Sequence, residues 1–373
     1  MKGRVIALDV PNGKGAAAAL MVDGRLEDLV VDPPAEVDLP MAGDVLTATI
    51  TRKLPNGKGA FAELAHGQSG FLRDAKGTAQ GETRLVQVTS LPEPGKAIAV
   101  SPRVLFKGLH LILTPGAPGT NVSRQIKDPD ERARLEAGAA AAMALEGLED
   151  TGVILRTSAV EAEGDALQSE LRALAAMLAD GREALADGRS WSSHGGSALA
   201  YWRREWLVPL ADQIVCKKDV AQALLAETAG DEAFAARLVV EPAPFEAAGV
   251  LDEIAGLDVS EVSLASGSMV IEPTRALVAV DVNTGQDFSP AAGLKTNIAA
   301  IHELPRQLRL RGLGGQVVVD FAPMPKKERR SFEASIRAAF RRDPIETSLV
   351  GWTEMGLYEL QRKRERWPLT SIW

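Results

Sequence analysis

The chain has 373 residues, 46% of them hydrophobic and 25% charged, with a formal net charge of −8 and a pI near 5.3. That balance excludes a disordered polymer and leaves room for several compact domains. A single cysteine, Cys216, excludes an internal disulfide, a CxxC redox pair and a four-cysteine zinc site within one chain.

The N-terminus opens Met1-Lys2-Gly3-Arg4 and passes into a short β-like run, with neither the apolar core of a signal peptide nor the length of a membrane span. A cytoplasmic protein is the simplest expectation. Val5 to Leu8, Ala16 to Val22 and Leu26 to Val31 predict a β-hairpin and its return, turning at Pro11–Gly15 and at Asp23-Gly24. Asp9 closes the first strand, and no partner carboxylates follow it in suitable strands, so it is given no catalytic role. Pro33-Pro34 marks a boundary. Short strands over Val45–Ile50, Ala60–Leu64, Gly70–Leu72, Arg84–Thr89 and Lys96–Val100, punctuated by Gly, Pro and Asn, predict a small β-barrel of the OB type.

Leu109–Leu113 reads as a further strand. Asp128-Pro129-Asp130-Glu131 then supplies an N-cap, a proline at the first helical position and an acid three residues on, a strong helix start. Gly152 to Thr157 is strand-like, and Leu167, Leu171, Leu174 and Leu178 keep helical spacing up to Gly181. A Gly/Ser-rich loop from Ser190 to Ser197 precedes a helix holding Tyr201, Trp202, Arg203, Arg204 and Trp206, and alanine-rich 221–258 predicts more helix. Cys216 reads as a small buried apolar residue.

The last third changes character. Ala276 to Val282 is an apolar run carrying Asp281 and leading to Asn283, followed by a turn at Thr284-Gly285 and a helix over about 294–311. Gly314 to Phe321 repeats the plan with Asp320, followed by a helix over about 326–342 whose apolar face is Phe332, Ile336 and Phe340. Strand, helix, strand, helix predicts a parallel or mixed sheet covered by helices. Charge segregates here as well: residues 301–373 hold 14 Lys/Arg against 9 Asp/Glu, a net +5, so the preceding 300 residues carry −13. The cations cluster at Arg306/Arg309/Arg311, Lys326/Lys327/Arg329/Arg330 and Arg362/Lys363/Arg364/Arg366. Each cluster is either a solvated face or a phosphate-binding surface.

A lone aspartate at a strand end is ordinarily a turn cap. Two of them at corresponding strand ends converge where α/β sheets bind ligands, and they repel unless a cation lies between them. Hard oxygen donors, with the amide of Asn283, suit Mg²⁺, which takes one or two protein carboxylates and leaves its other positions to water and phosphate.

The run Ala276–Gly285, the series Arg306-Gln307-Leu308-Arg309-Leu310-Arg311-Gly312-Leu313-Gly314-Gly315, and Val319-Asp320-Phe321, in that order, resemble the catalytic subdomain of the ribonuclease E/G family. The resemblance is collinear over nearly the whole chain. It implies an α+β and α/β multidomain fold: an RNase H-like piece from 1–33 and 189–258, an OB-fold RNA-binding domain at 34–102, a 5′-sensor domain at 103–188 and a DNase I-like catalytic domain at 259–373. It implies an endoribonuclease that uses metal-activated water to cut single-stranded RNA, leaving 5′-phosphate and 3′-hydroxyl ends. One Mg²⁺, replaceable by Mn²⁺, is expected on Asp281 and Asp320 with Asn283 orienting it. Arg156 and Thr157, with Gly108 and Ile112, are the implied 5′-monophosphate sensor, where a guanidinium grips a phosphate in bidentate fashion. Phe61, Phe71 and Lys96 match the family's RNA-binding residues, aromatic stacking being worth about 1–3 kcal/mol per base, and Arg124 is a further implied RNA contact.

The sequence departs from the family's pattern in several places. Gln125 replaces a second basic residue after Arg124, Arg275 stands where an acid is frequent, and Pro305 is expected to interrupt its helix. The family's cysteine pair for a zinc link is absent before Trp373, so no structural zinc and no zinc-linked dimer are expected, and the oligomeric state is open. The expected partner is single-stranded RNA, with no membrane. A catalytically silent RNA-binding regulator of the same fold is the alternative, and an intact Asp281-Asn283-Asp320 set favours the enzyme.

Overall fold

The structure, a computed structural model, describes residues 2–11, 14–34, 36, 39–65, 67–93, 95–228, 231–287, 289 and 291–373. The chain forms two compact units, Met1–Pro34 with Asp212–Trp373, and Ala35–Ala211.

In the first unit, β1 (Arg4–Asp9), β2 (Ala17–Val22) and β3 (Arg25–Val31) form an antiparallel meander. The predicted Pro11–Gly15 turn includes Asn12 and Gly13, which lie outside the described residues. In the second turn Asp23 and Gly24 both take the left-handed conformation, at φ 50° and 80°, which an Asp-Gly pair tolerates and most pairs do not.

The second unit begins with β4 (Val45–Lys53), β5 (Ala60–Leu64), β6 (Ser69–Leu72), β7 (Thr83–Ser90) and β8 (Ile98–Ser101), which close into a barrel in the order β4-β5-β6-β8-β7. Small inward residues, Ala48, Ala60 and Ala62, leave room for Ile50, Leu64, Leu72, Val86 and Val100 in its interior. A closed five-stranded barrel is compatible with the OB-type expectation.

The four-stranded sheet that follows, in the order β11-β12-β10-β9, is built from β9 (Phe106–Lys107), β10 (Leu111–Pro115), β11 (Gly119–Val122) and β12 (Thr151–Leu155). It is backed by α1 (Pro129–Leu145) and α2 (Gly164–Asp187), whose Leu135, Met143, Leu171, Leu174 and Leu178 share its core. The Asp128 side chain accepts from the amides of Asp130 (2.9 Å) and Glu131 (3.3 Å), the cap that the sequence predicts. α3 (Ala198–Glu205) completes this unit.

Returning to the first unit, β13 (Gln213–Cys216) and β14 (Leu238–Val240) extend the sheet in parallel beyond β1. Cys216 is fully buried, and burial pushes its thiol up to about 11. The stretch 221–258 is less helical than its composition suggests. α4 (Lys218–Glu227), α5 (Glu232–Ala235), α6 (Pro244–Ala247) and α7 (Val250–Ala255) are interrupted by β14, and Ala229 and Gly230 lie outside the described residues. The run Leu238-Val239-Val240 is β-prone and pairs with the edge of β13, which outweighs local helix propensity.

The rest of the unit is a six-stranded sheet made of β15 (Glu261–Ser263), β16 (Ser268–Pro273), β17 (Val278–Asn283), β18 (Gly315–Asp320), β19 (Thr347–Trp352) and β20 (Tyr358–Arg362). Its order is β15-β16-β17-β18-β20-β19, and β17 with β18 is its parallel pair. α8 (Ala292–Leu310) and α9 (Lys326–Arg342) both pack on the face formed by Met269, Ile271, Val278, Val280, Val282, Val317, Val319, Tyr358 and Leu360. β17 and β18 alternate between buried and outward residues with period two. Pro305 does not interrupt α8, which continues through it to Leu310. The short α10 (Leu369–Ile372) packs its apolar residues with those of β1–β3.

Candidate functional site

Asp281 and Asp320 are direct neighbours, paired in register across the parallel strands β17 and β18, with backbones about 4.8 Å apart. The neighbours of the two aspartates, Val280 and Val282 beside Asp281 and Val319 and Phe321 beside Asp320, point into the core, so alternation turns both carboxylates outward to the same side of the sheet. Slipping either strand by one residue would bury its aspartate and expose valines, so the hydrophobic pattern itself sets the register. Asn283, two residues beyond Asp281, shares that face and donates its Nδ2 to Asp281 Oδ2 at 2.6 Å.

The other carboxylate oxygens of the pair and the Asn283 amide oxygen meet no donor or cation among the described residues. Two unneutralised carboxylates and an amide at adjoining strand ends form a hard, anionic donor set, and that chemistry fits a Mg²⁺ ion. Asp281 and Asp320 would be its ligands, with Asn283 holding the Asp281 carboxylate in place. Among the described residues, no group of three or more His, Cys, Asp or Glu could hold a metal ion.

Two features that support this pair had not been singled out in the sequence. Asn297 on α8 is fully buried and makes a two-point contact with the backbone just after β18, donating to Ala322 O (2.8 Å) and accepting from Ala322 N (2.9 Å). It thereby fixes the chain leaving Asp320. Gly267, at φ +75°, lies so close to the Asn283 carbonyl that a Cβ would sit 2.1 Å from it, so any side chain there would displace Asn283. Asn297 was legible only as a polar residue in an apolar helical stripe. Arg275 stands in the β16–β17 turn, at the opposite end of β17 from Asn283. Asp9, given no catalytic role, is ion-paired with Lys217 at 2.9 Å.

The first and third basic clusters are largely engaged inside the protein, so neither of the two expectations, a solvated face or a phosphate-binding surface, describes them. Arg366 grips Asp28 with two contacts (2.5 and 3.1 Å), Arg309 reaches Asp28 (3.0 Å) and also pairs with Asp343, and Arg362 bonds Asp343 (2.8 Å). Arg306 donates to Leu26 O (2.7 Å), and Arg311 to the carbonyls of Leu257 and Val259 (2.7 and 2.8 Å). Burial alone would raise the Asp28 carboxyl, but the guanidinium groups of Arg366 and Arg309 outweigh it and hold that carboxyl below its ordinary range. Of the middle cluster, Lys326, Lys327 and Arg330 are exposed at the start of α9, while Arg329 lies over the Trp352 ring at 4.4 Å.

On the barrel, Phe61 and Phe71 are register partners on β5 and β6, half-buried, with ring centroids 5.2 Å apart. Their strand neighbours Ala60, Ala62, Gly70 and Leu72 face inward, so both rings lie on the outer surface. Arg52 on β4 is paired with Phe61 and holds its guanidinium 4.7 Å from that ring's centre. The row Arg52, Phe61, Phe71 is thus a cationic and aromatic strip across three strands, and Arg52 was not singled out in the sequence. Lys96 is exposed in the loop before β8 and pairs with Glu93 at 2.6 Å, a surface contact that contributes little and exchanges readily.

Three of the proposed sensor residues, Ile112, Arg156 and Thr157, line one cleft of about 420 Å³ in the second unit, walled also by Ser123, Gln125, Ile154, Arg204 and Glu205, whereas Gly108 is not in its wall. Ser123 and Gln125 follow β11, and Arg156 and Thr157 follow β12, its parallel neighbour. The Thr157 hydroxyl donates to Gln125 Oε1 (3.1 Å) and lies 3.3 Å from Ser123 Oγ. Arg156 donates to the carbonyls of Gly108 (2.8 Å) and Arg204 (3.0 Å) and to Glu205 Oε2 (2.6 Å). Burial would raise the Glu205 carboxyl, yet Arg156 and Arg204 hold it below its ordinary range. Gly108 is also tight against Glu170, where a Cβ would come within 1.9 Å of Oε1. That carboxylate accepts from the amides of His110 and Leu111 (2.9 Å each) and so shapes the loop. Arg124 is exposed and does not line the cleft.

Residues 106–365 match the Ribonuclease E/G family. Ribonuclease G of Salmonella typhimurium (strain SL1344) is 27% identical to the chain over 385 residues, covering 92% of this chain and 76% of that protein. Ribonuclease G of Escherichia coli (strain K12) is 27% identical over 391 residues, 94% of this chain and 78% of its own length. Ribonuclease E of the same strain is 29% identical over 381 residues, which span 92% of this chain and 35% of that longer protein. With the matched segment covering more than half of its length, the chain belongs to the ribonuclease E/G family.

Proposed function

We propose that this protein is an endoribonuclease of RNA processing or decay that cuts single-stranded RNA with one Mg²⁺, which Mn²⁺ can replace, held by Asp281 and Asp320. The observation that carries this reading is the in-register pair of outward carboxylates without a protein cation. When bound, Mg²⁺ would supply a Lewis acid for a phosphate oxygen and lower the pKa of water; attack of water oxygen on phosphorus with cleavage of the bond to the 3′-oxygen, which takes up a proton, gives 5′-phosphate and 3′-hydroxyl ends. Asn283 restrains the Asp281 carboxylate through its 2.6 Å hydrogen bond, and Asn297 anchors the backbone that follows Asp320. Phe61 and Phe71, with Arg52 and Lys96, hold unpaired bases and their phosphates on the barrel surface, while Arg156, Thr157, Gly108 and Ile112 form the candidate 5′-end site and Arg124 a further RNA contact. Among the described residues no helix is long and apolar enough to cross a membrane.

The direct test is cleavage of a short, 5′-labelled, A/U-rich single-stranded RNA with Mg²⁺ or with EDTA. Cutting is expected with the metal and none with the chelator. RNA that is bound but never cut at any metal concentration would instead assign the chain as a silent regulator.

Phe61→Ala and Phe71→Ala are each expected to weaken binding of unpaired RNA by about 1–3 kcal/mol. Because both rings lie outside the barrel core, the denaturation midpoint should change little. Fluorescence anisotropy against single-stranded RNA, with thermal denaturation in parallel, checks both statements, and a large fall in the midpoint with unchanged affinity would make the pair structural.

A further inference from the structure

Arg156 is the group on which recognition of a 5′-phosphate would turn, and its guanidinium is already engaged. Nη1 donates to two carbonyl oxygens, those of Gly108 and Arg204, and Nη2 donates to the Glu205 carboxylate at 2.6 Å. Glu205 is itself held from a second side, since its Oε1 accepts from Arg204 Nε at 2.8 Å. Arg204 is anchored in turn by a 2.8 Å hydrogen bond to Gly195 O. One carboxylate therefore bridges two guanidinium groups at the wall of the cleft. The polar groups opposite, the Thr157 and Ser123 hydroxyls and the Gln125 amide, are neutral and bonded to one another.

Arg156 Nε has no protein partner among the described residues, so a phosphate dianion gripped through Nε and Nη2 would share Nη2 with Glu205 and enter beside a fixed negative charge. Displacing Glu205 breaks charge-assisted hydrogen bonds to both arginines, and leaving it in place sets like charges against each other. Gln125 offers no cation to offset either outcome.

We propose that Glu205 is a built-in competitor for the 5′-phosphate, so that this protein engages RNA with little regard to the phosphorylation state of the 5′ end. The proposal rests on reading the Arg156 cleft as the 5′-end site, and it makes Glu205 a specificity-determining residue.

The experiment compares two RNAs of identical sequence, labelled at the 3′ end, one with a 5′-monophosphate and one with a 5′-hydroxyl. Binding to the full chain is measured by anisotropy in EDTA, so that cutting plays no part. The wild type should bind the two within about twofold of each other, whereas Glu205→Gln should favour the phosphorylated RNA by about tenfold or more, as expected when a dianion gains an unopposed guanidinium. Glu205→Ala should behave likewise, and the gain should vanish in a Glu205→Gln/Arg156→Gln double variant. A wild type that already favours the 5′-phosphate tenfold would overturn the competitor role while leaving the cleft as the 5′-end site. If neither the wild type nor either Glu205 variant discriminates, although all bind RNA, the proposal falls together with the assignment of the cleft.

Discussion

Asp281→Asn and Asp320→Asn are each expected to abolish metal-dependent cutting, by about 10³-fold or more, because each removes a charge that, on the proposed function, would hold the ion and with it several kcal/mol of transition-state stabilisation. Neither substitution should unfold the protein. Both side chains are exposed, and they stand side by side in register without a cation, so neutralising one relieves a like-charge repulsion. The metal-free variants should therefore unfold no earlier than the metal-free wild type, and RNA binding should persist. Cleavage assays with thermal denaturation in EDTA test the pair of statements together. Retention of full activity by either variant would remove the two-aspartate reading.

The second large effect is on stability. Asp28→Asn should destabilise the unit formed by 1–34 and 212–373 by about 3–5 kcal/mol, the cost of breaking a buried ion pair and leaving its partners uncompensated. Arg366 and Arg309 are both buried against Asp28, and Arg309 also shares Asp343 with Arg362. Loss of one charge thus leaves three guanidinium groups facing Asp343 and the half-exposed Glu27. A fall in the denaturant midpoint, without loss of RNA binding by the barrel, is the expected measurement. The pH dependence has a definite sign. The Asp28 carboxyl is held below its ordinary range, so its contribution is complete above the unfolded value of about 3.9 and is lost as pH falls through the lower, folded one. Acidification should consequently destabilise the wild type more steeply than Asp28→Asn. Parallel acid curves for the two would show that Asp28 is not the titrating group.

The parts of this molecule that were legible in the sequence are those set by local rules. The two Val-rich strands carrying Asp281 and Asp320, the Asp128-Pro129 helix start and the Phe332/Ile336/Phe340 stripe follow from periodicity and capping, and the structure shows each of them. What could not be read depended on remote partners. The short strands Gln213–Cys216 and Leu238–Val240 are too brief to stand out, and they form because β1 offers an edge more than two hundred residues earlier. The arginine clusters looked like a surface because nothing local shows that Asp28 will meet Arg366. Glu205 and Asn297 carried no motif at all, and their importance comes from what the fold brings against them. Arg52 became notable only when strand pairing set it over Phe61.

The ion cluster around Asp28 also orders events during synthesis. Asp28 must wait 338 residues for Arg366 to be made, on the order of 17–70 s at ~5–20 residues per second. For much of that interval the β1 edge of the β1–β3 meander is unpaired, until Gln213–Cys216 emerges. The unit spanning Ala35–Ala211 has no such debt, since all of its strands and core residues are translated before β13. The barrel and the cleft can therefore mature on the ribosome before the six-stranded sheet exists, so that, on the proposed function, a nascent chain would acquire its capacity to hold RNA well before its capacity to cut it.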